Sequence, residues 1–143
     1  MKGGADATVG VPPGITHDTR PFWDGAALGR LVVERCCMCG LHVHPPRGVC
    51  RRCRRRDLAW VDVRDRGVIA TFTVNHHPWW PGLEVPYVLA LVEFPDRPGL
   101  QVLGRVRGLP ADAVRVGMIV EVGFEPGPSG TPIPSFVAVP ESA

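Results

Sequence analysis

From residue 31 onward the chain is a series of short apolar runs broken by turn residues. Leu31 to Arg35 reads as one strand. After residue 57 similar runs recur at regular spacing: Leu58–Val63, Gly67–Asn75, Tyr87–Phe94, Leu100–Arg107, Met118–Phe124 and a weaker Ser135–Val139. They are rich in Val, Phe and Leu and separated by Gly, Pro and Asp, which is the strand pattern. Five or six such strands in so short a stretch predict a small β-barrel or sandwich. Residues 111–117 predict a turn or one helical turn. Residues 19–30 (TRPFWDGAALGR) predict the one helix. Asp18 or Thr19 can cap it, Pro21 suits its first turn, and Gly29 is a stop. Phe22 and Trp23 sit near its start, either as packing residues or as an aromatic anchor facing a partner.

The ends read differently. Residues 1–18 are rich in Gly and Pro and have no periodicity, so they predict a flexible tail or linker, as one end of a longer fusion would have. Residues 126–143 hold five prolines and predict a mostly irregular tail, with 135–139 as a possible closing strand. The division expected is therefore a tail (1–18), a helix with a cysteine-rich unit (19–57), a β-barrel (58–125) and a Pro-rich tail.

Composition narrows the function classes. At 143 residues the chain has room for one ordinary domain or two very small ones, not for a cofactor domain of its own. Apolar residues are 45% and charged residues 21%, the balance of a globular protein. No apolar run is long enough to span a bilayer, and the first 20 residues lack a secretory pattern. Arg outnumbers Lys 15 to one, a skew typical of GC-rich bacterial genomes. Charge is concentrated: residues 47–56 (RGVCRRCRRR) carry six Arg and no acid, so they hold +6 and the rest −4 of the net +2.

The five cysteines fall within 18 residues. An odd count without a secretory leader argues against a disulfide framework and for a reducing, cytoplasmic setting. Cys36-x2-Cys39, ten residues, then Cys50-x2-Cys53 is the spacing of a four-thiolate zinc ribbon. Each knuckle turns tightly enough for two sulfurs to meet one tetrahedral ion. Four sulfurs leave no open position, so the Zn2+ would be structural. Cys37 is spare, and His42 and His44 are not needed as ligands. The arginines around the second knuckle (Arg51, Arg52, Arg54, Arg55) offset the charge of the zinc–thiolate centre, form a solvated face, or bind phosphates. Zinc with four thiolates removes two charges from +2, and a near-neutral chain favours life in a complex.

No nucleophile elbow, Gly-rich phosphate loop or acid/base pair of carboxylates is present. The best polar candidates are His76 and His77 in NHHPWWPG, followed by Trp79 and Trp80. A histidine there could act as a general base. Two adjacent Trp are costly to leave in water, so this loop either covers the core or meets a partner.

The ordered set of motifs resembles a known family. It runs from Phe22-Trp23 through a strand, the four-Cys ribbon with His44-Pro45-Pro46 between its knuckles, Trp60, Gly67, the loop 76–82 and Pro86-Tyr87 to Ala90-Leu91-Val92-Glu93, Gly104 and Val116-Gly117-Met118. It is similar to the acyl-CoA-associated zinc-ribbon/OB-fold proteins, a domain of unknown function that accompanies thiolase-like enzymes. The resemblance covers about residues 19–125 and is closest to members from steroid side-chain degradation. It implies a mainly β fold: an N-terminal helix, a rubredoxin-like zinc ribbon and a five-stranded OB-fold barrel. It implies a non-catalytic accessory subunit on a thiolase-like enzyme acting on acyl-CoA thioesters. In the steroid case the partner is a retro-aldol lyase, and some members are fused to a hotdog-fold hydratase. Arg51, Arg52, Arg54 and Arg55 then become candidates for the CoA phosphates. His76, His77, Trp79, Trp80 and Tyr87 become candidates for the substrate channel or partner loop, and Phe22 and Trp23 for a partner-facing helix.

Two other readings remain. A single-stranded nucleic-acid binder would use the Arg cluster on a phosphate backbone, but Asn75, Gln101 and Lys2 are the only residues of their types, leaving few base-reading groups. A free-standing small enzyme would rely on His76 or His77.

Overall fold

The computed structural model describes residues 10–140. Residues 1–9 of the expected tail lie outside the described residues, and residues 10–16 form no regular element. Helix α1 spans Arg20–Ala27. Thr19 is its N-cap residue but makes no side-chain cap. Instead its hydroxyl accepts the Thr16 N–H at 2.9 Å. The helix stops where the sequence indicates. Gly29 takes a left-handed φ of 72°, the Gly29 N–H donates to Ala26 O and the Arg30 N–H to Gly25 O. That is a complete Schellman closure, which a glycine makes without strain.

Three strands follow in a small sheet of order β2-β1-β3: β1 Leu31–Cys36, β2 His42–Val43 and β3 Leu58–Val63. The remaining five close a barrel of order β4-β5-β6-β8-β7: β4 Gly67–Asn75, β5 Tyr87–Glu93, β6 Gln101–Arg107, β7 Ile119–Pro126 and β8 Pro132–Ala138. A short 3-10 turn at Ala111–Ala113 joins β6 to β7. The fold is thus the mainly β helix–ribbon–OB barrel that the resemblance implied.

Two strands differ from the sequence expectation. The run 58–63 was expected in the barrel but pairs with β1 along its whole length, from Leu31 opposite Val63 to Cys36 opposite Leu58. It leaves the second knuckle directly beside β1, so β1 is the partner within reach. The Pro-rich tail was expected to be irregular apart from 135–139, but its strand runs from 132 to 138 and closes the barrel. Pro132 and Pro134 pair only with β7, where β8 is an edge. Double pairing, with β6 and β7, begins at Ser135. Proline lacks an N–H and is tolerated on such an edge.

β5 and β6 alternate strictly, with Val88, Ala90 and Val92 opposite Val106, Gly104 and Val102 inside the barrel. Phe136 fills its centre and is fully buried. The same core continues into Phe22, Leu31, Val33 and Val63, so helix, ribbon sheet and barrel share one hydrophobic interior. A second small cluster holds Cys36, Leu41 and Cys50.

Candidate metal centre and partner-facing surfaces

The two knuckles are built alike. In the first, the Gly40 N–H donates to Cys36 O and the Cys36 N–H to Leu41 O. In the second, the Arg54 N–H donates to Cys50 O and the Cys50 N–H to Arg55 O. Gly40 and Arg54 occupy the same left-handed corner, at φ 77° and 63°. This repetition carries the four sulfurs of Cys36, Cys39, Cys50 and Cys53 to within 4.8 Å of one another. The Cys36–Cys53 and Cys39–Cys50 sulfur pairs are both 3.5 Å apart. A tetrahedron with metal–sulfur bonds of about 2.3 Å has edges of about 3.8 Å, so the set fits.

The donor chemistry fits as well. The backbone N–H of Cys39 helps hold the Cys36 thiol below its usual range, and that of Cys53 brings Cys50 down to about 6. The Arg55 N–H also favours the Cys53 thiolate, but burial and the bonds to the neighbouring sulfurs outweigh it and push Cys53 up to about 11. Four sulfurs this close do not all ionise unless a cation balances them. The ribbon's zinc supplies that charge. With all four positions taken by thiolates, the zinc is structural.

The other candidate ligands turn elsewhere. His42 is buried with Nδ1 3.4 Å from Pro98 O. His44 packs its ring on Phe22 at 5.2 Å, and burial lowers its pKa to about 4. Cys37 is exposed and outside the cluster.

The arginines divide into two groups. Arg51 reaches back across the molecule, donating to His42 O and Gly99 O, both at 3.3 Å. It ties the second knuckle to the turn between β5 and β6. Arg52, Arg54 and Arg55 are exposed and form no salt bridge among the described residues. Arg51 is therefore a clamp, and the others form the free cationic ridge.

His76, His77, Trp79 and Trp80 lie on the exposed loop between β4 and β5. His77 meets Trp79 edge-on at 4.5 Å. Neither histidine has a carboxylate partner among the described residues. Trp79 is 68% exposed and Trp80 46%, so the loop does not cover the core. Tyr87, at the head of β5, is half-buried. Phe22 is 6% exposed and belongs to the core, which corrects its place among partner-facing residues. Trp23 is partly buried against that core, with its ring edge-on to Phe22 at 4.8 Å.

Sequence reasoning missed Glu34. This buried carboxylate accepts the N–H groups of Arg47 at 2.8 Å and Gly48 at 3.2 Å, and so fixes the inter-knuckle loop. Its one signal was an acid directly after the apolar run Leu31-Val32-Val33 of that strand. Also missed was Arg97, which holds Asp65 through two bonds of 3.1 and 3.2 Å.

Fold and site together define a zinc-ribbon/OB-fold protein with a closed metal centre. Residues 23–59 match the ChsH2 rubredoxin-like zinc ribbon domain, and residues 60–125 the ChsH2 C-terminal OB-fold domain. The chain belongs to this family, also known as DUF35. Among solved structures, a chain of the Ltp2-ChsH2(DUF35) aldolase is 31% identical, with a TM-score of 0.79 over 89% of this chain and 98% of that one. A probable enoyl-CoA hydratase alpha subunit of Thermomonospora curvata is 32% identical over 130 residues, 90% of this chain and 40% of that protein. The 3-oxo-4,17-pregnadiene-20-carboxyl-CoA hydratase alpha subunit of Mycobacterium tuberculosis is 34% identical over 119 residues, 83% of this chain and 37% of that protein. The chain thus spans about two fifths of these two relatives.

Proposed function

We propose that this chain is a non-catalytic accessory subunit that docks on a thiolase-like enzyme acting on acyl-CoA thioesters. The particular reaction proposed is retro-aldol cleavage of a steroid-CoA. The observation that carries the reading is the end-to-end match to a chain of the Ltp2-ChsH2(DUF35) aldolase. The closed zinc centre supports it, because a zinc held by four thiolates has no open position for a substrate. The hydratase names of the longer relatives support a hotdog-fold hydratase as a further partner.

In this reading Arg52, Arg54 and Arg55 meet the phosphates of CoA at the shared site, where a guanidinium binds phosphate in a bidentate fork. Arg51 holds the ridge in place from behind. The loop from His76 to Trp80 meets the partner or the acyl part of the substrate, since exposed tryptophans are characteristic interface anchors.

The test is an affinity pull-down of the tagged chain from its native host, with mass spectrometry of the co-purifying proteins. A thiolase-like protein in near-equal amount is expected. Recovery of RNA or ribosomal proteins that wash off with salt would instead favour single-stranded nucleic-acid binding by the same ridge. Changing Arg52, Arg54 and Arg55 together should raise the acyl-CoA KM of the complex. An unaltered KM would remove the phosphate role.

A further inference from the structure

Outside the metal centre and the cationic ridge, the outer face of the barrel carries a groove of about 520 Å3. It runs over β5 and β6 between the 76–86 loop and the turn before β8. Its walls are aromatic, aliphatic and prolyl: Trp80, Tyr87, Leu103, Pro128 and Ile133, with the acid Glu84 on the rim. Leu103 is 60% exposed in mid-strand, where a barrel facing only water would carry a polar residue.

We propose that this groove binds an extended proline-rich peptide segment of a partner protein, in the polyproline II conformation, with a basic residue beside Glu84. Three observations select this occupant. Aromatic-lined grooves are what such segments dock against, and Trp80 and Tyr87 line this one. A polyproline II strand has no internal hydrogen bonds, so its carbonyls need outside donors. Trp80 and Tyr87 line the groove, and neither the indole N–H nor the phenol hydroxyl makes a hydrogen bond among the described residues. Lastly, Glu84 has no cationic partner there, whereas Glu125 in the wall is already held by Arg105 at 3.8 Å and Arg107 at 3.3 Å. A peptide's Arg or Lys would complete the charge balance at the rim. The inference does not depend on the accessory-subunit reading, which the pull-down decides separately.

The experiment titrates the zinc-loaded full chain with the peptide Ac-Ala-Pro-Pro-Leu-Pro-Pro-Arg-amide and follows the Trp80 indole resonance. A control peptide has Ala at every Pro. A saturable shift with the first peptide and none with the second is expected. Tyr87→Phe, which removes one donor, should weaken binding about fivefold. Glu84→Gln should weaken it about threefold, but leave unchanged the affinity of a peptide ending in Gln. Leu103→Glu should abolish binding while zinc content and melting stay as in the parent. No shift at millimolar peptide, or equal binding of the Ala peptide, would overturn the proposal. So would binding confined to a small apolar probe such as anilinonaphthalene sulfonate.

Discussion

Gly99 and Gly48 share one backbone conformation, with φ of 77° and 70°, but not one environment. A methyl group at Gly48 meets nothing within 4 Å. At Gly99 it falls 2.5 Å from Leu41 Cδ1 and 2.9 Å from Arg51 Nη2. Gly48→Ala should therefore cost only the left-handed backbone penalty, about 1 kcal/mol. Gly99→Ala bears that penalty as well. It must also displace Leu41, which is 3% exposed, at an overpacking cost of about 1–3 kcal/mol. Arg51 swings away more easily, because its guanidinium is the far end of a flexible chain, but its bond to Gly99 O is disturbed. The expected totals are about 1 kcal/mol for Gly48→Ala and about 2–4 kcal/mol for Gly99→Ala. At about 4 °C per kcal/mol for a chain of this size, the Tm should fall by roughly 4 °C and roughly 8–16 °C. Thermal melts at fixed, saturating zinc would measure both, since free zinc itself shifts the apparent stability. The extra loss at Gly99 reports the seat of the ribbon on the barrel. Equal shifts for the two variants would refute the claim that ribbon and barrel behave as one packed body.

Three other outcomes are expected. Cys39→Ser should abolish stoichiometric zinc binding and unfold the ribbon, because metal binding and folding are one process in such sites; zinc analysis and melting of the purified variant decide it. Arg54→Gly should stabilise the chain by up to about 1 kcal/mol, since it places glycine at the left-handed corner that Gly40 fills in the other knuckle. Denaturant midpoints check that, and the same variant should raise the acyl-CoA KM of the complex if Arg54 meets phosphate. Burial lowers the pKa of His44 to about 4 from an unfolded value of about 6.5. The unfolded chain therefore binds the extra proton between those values, and stability present above pH 6.5 is lost as pH falls towards 4. His44→Phe should flatten that loss by up to about 1.4 kcal/mol per pH unit relative to the parent, read from urea midpoints across pH 6.5 to 4.5.

The metal centre was legible because its chemistry is written in spacing: two C-x-x-C units leave the sulfurs little freedom. The barrel strands were legible where both neighbours are strands, as in β5 and β6, since inside and outside then alternate residue by residue. β8 was obscured because its two prolines mark an edge, and sequence does not tell an edge strand from an irregular tail. The pairing of β3 was hidden for another reason. A strand's pattern gives its faces, and its partners are set by where the preceding knuckle delivers it. Arg51 is the sharpest case. Arg51 and Arg52 are adjacent and look equivalent in RRCRRR, yet one is fastened to two carbonyls and the other is free. What separates them is the arrival of His42 O and Gly99 O beside the knuckle, and Gly99 lies 48 residues further along the chain.

That same contact bears on how the proposed surfaces work together. Arg51 reaches the turn that follows β5, whereas the His76–Trp80 loop precedes the same strand. The seven residues of β5 span roughly 23 Å at about 3.3 Å each. The free arginines sit on the knuckle beyond Arg51, so ridge and loop lie at opposite ends of the barrel's flank. A compact ligand cannot touch both. Under the proposed function, either one long, extended CoA thioester would run the length of the flank, or the ridge would serve the ligand and the loop the partner protein. These arrangements separate kinetically. If the loop serves the partner, changing Trp79 and Trp80 to Ala should weaken assembly and leave the acyl-CoA KM of the assembled complex untouched. If one ligand spans the flank, the loop and ridge variants should both raise KM, and the exposed tryptophans would belong to the substrate rather than to the interface.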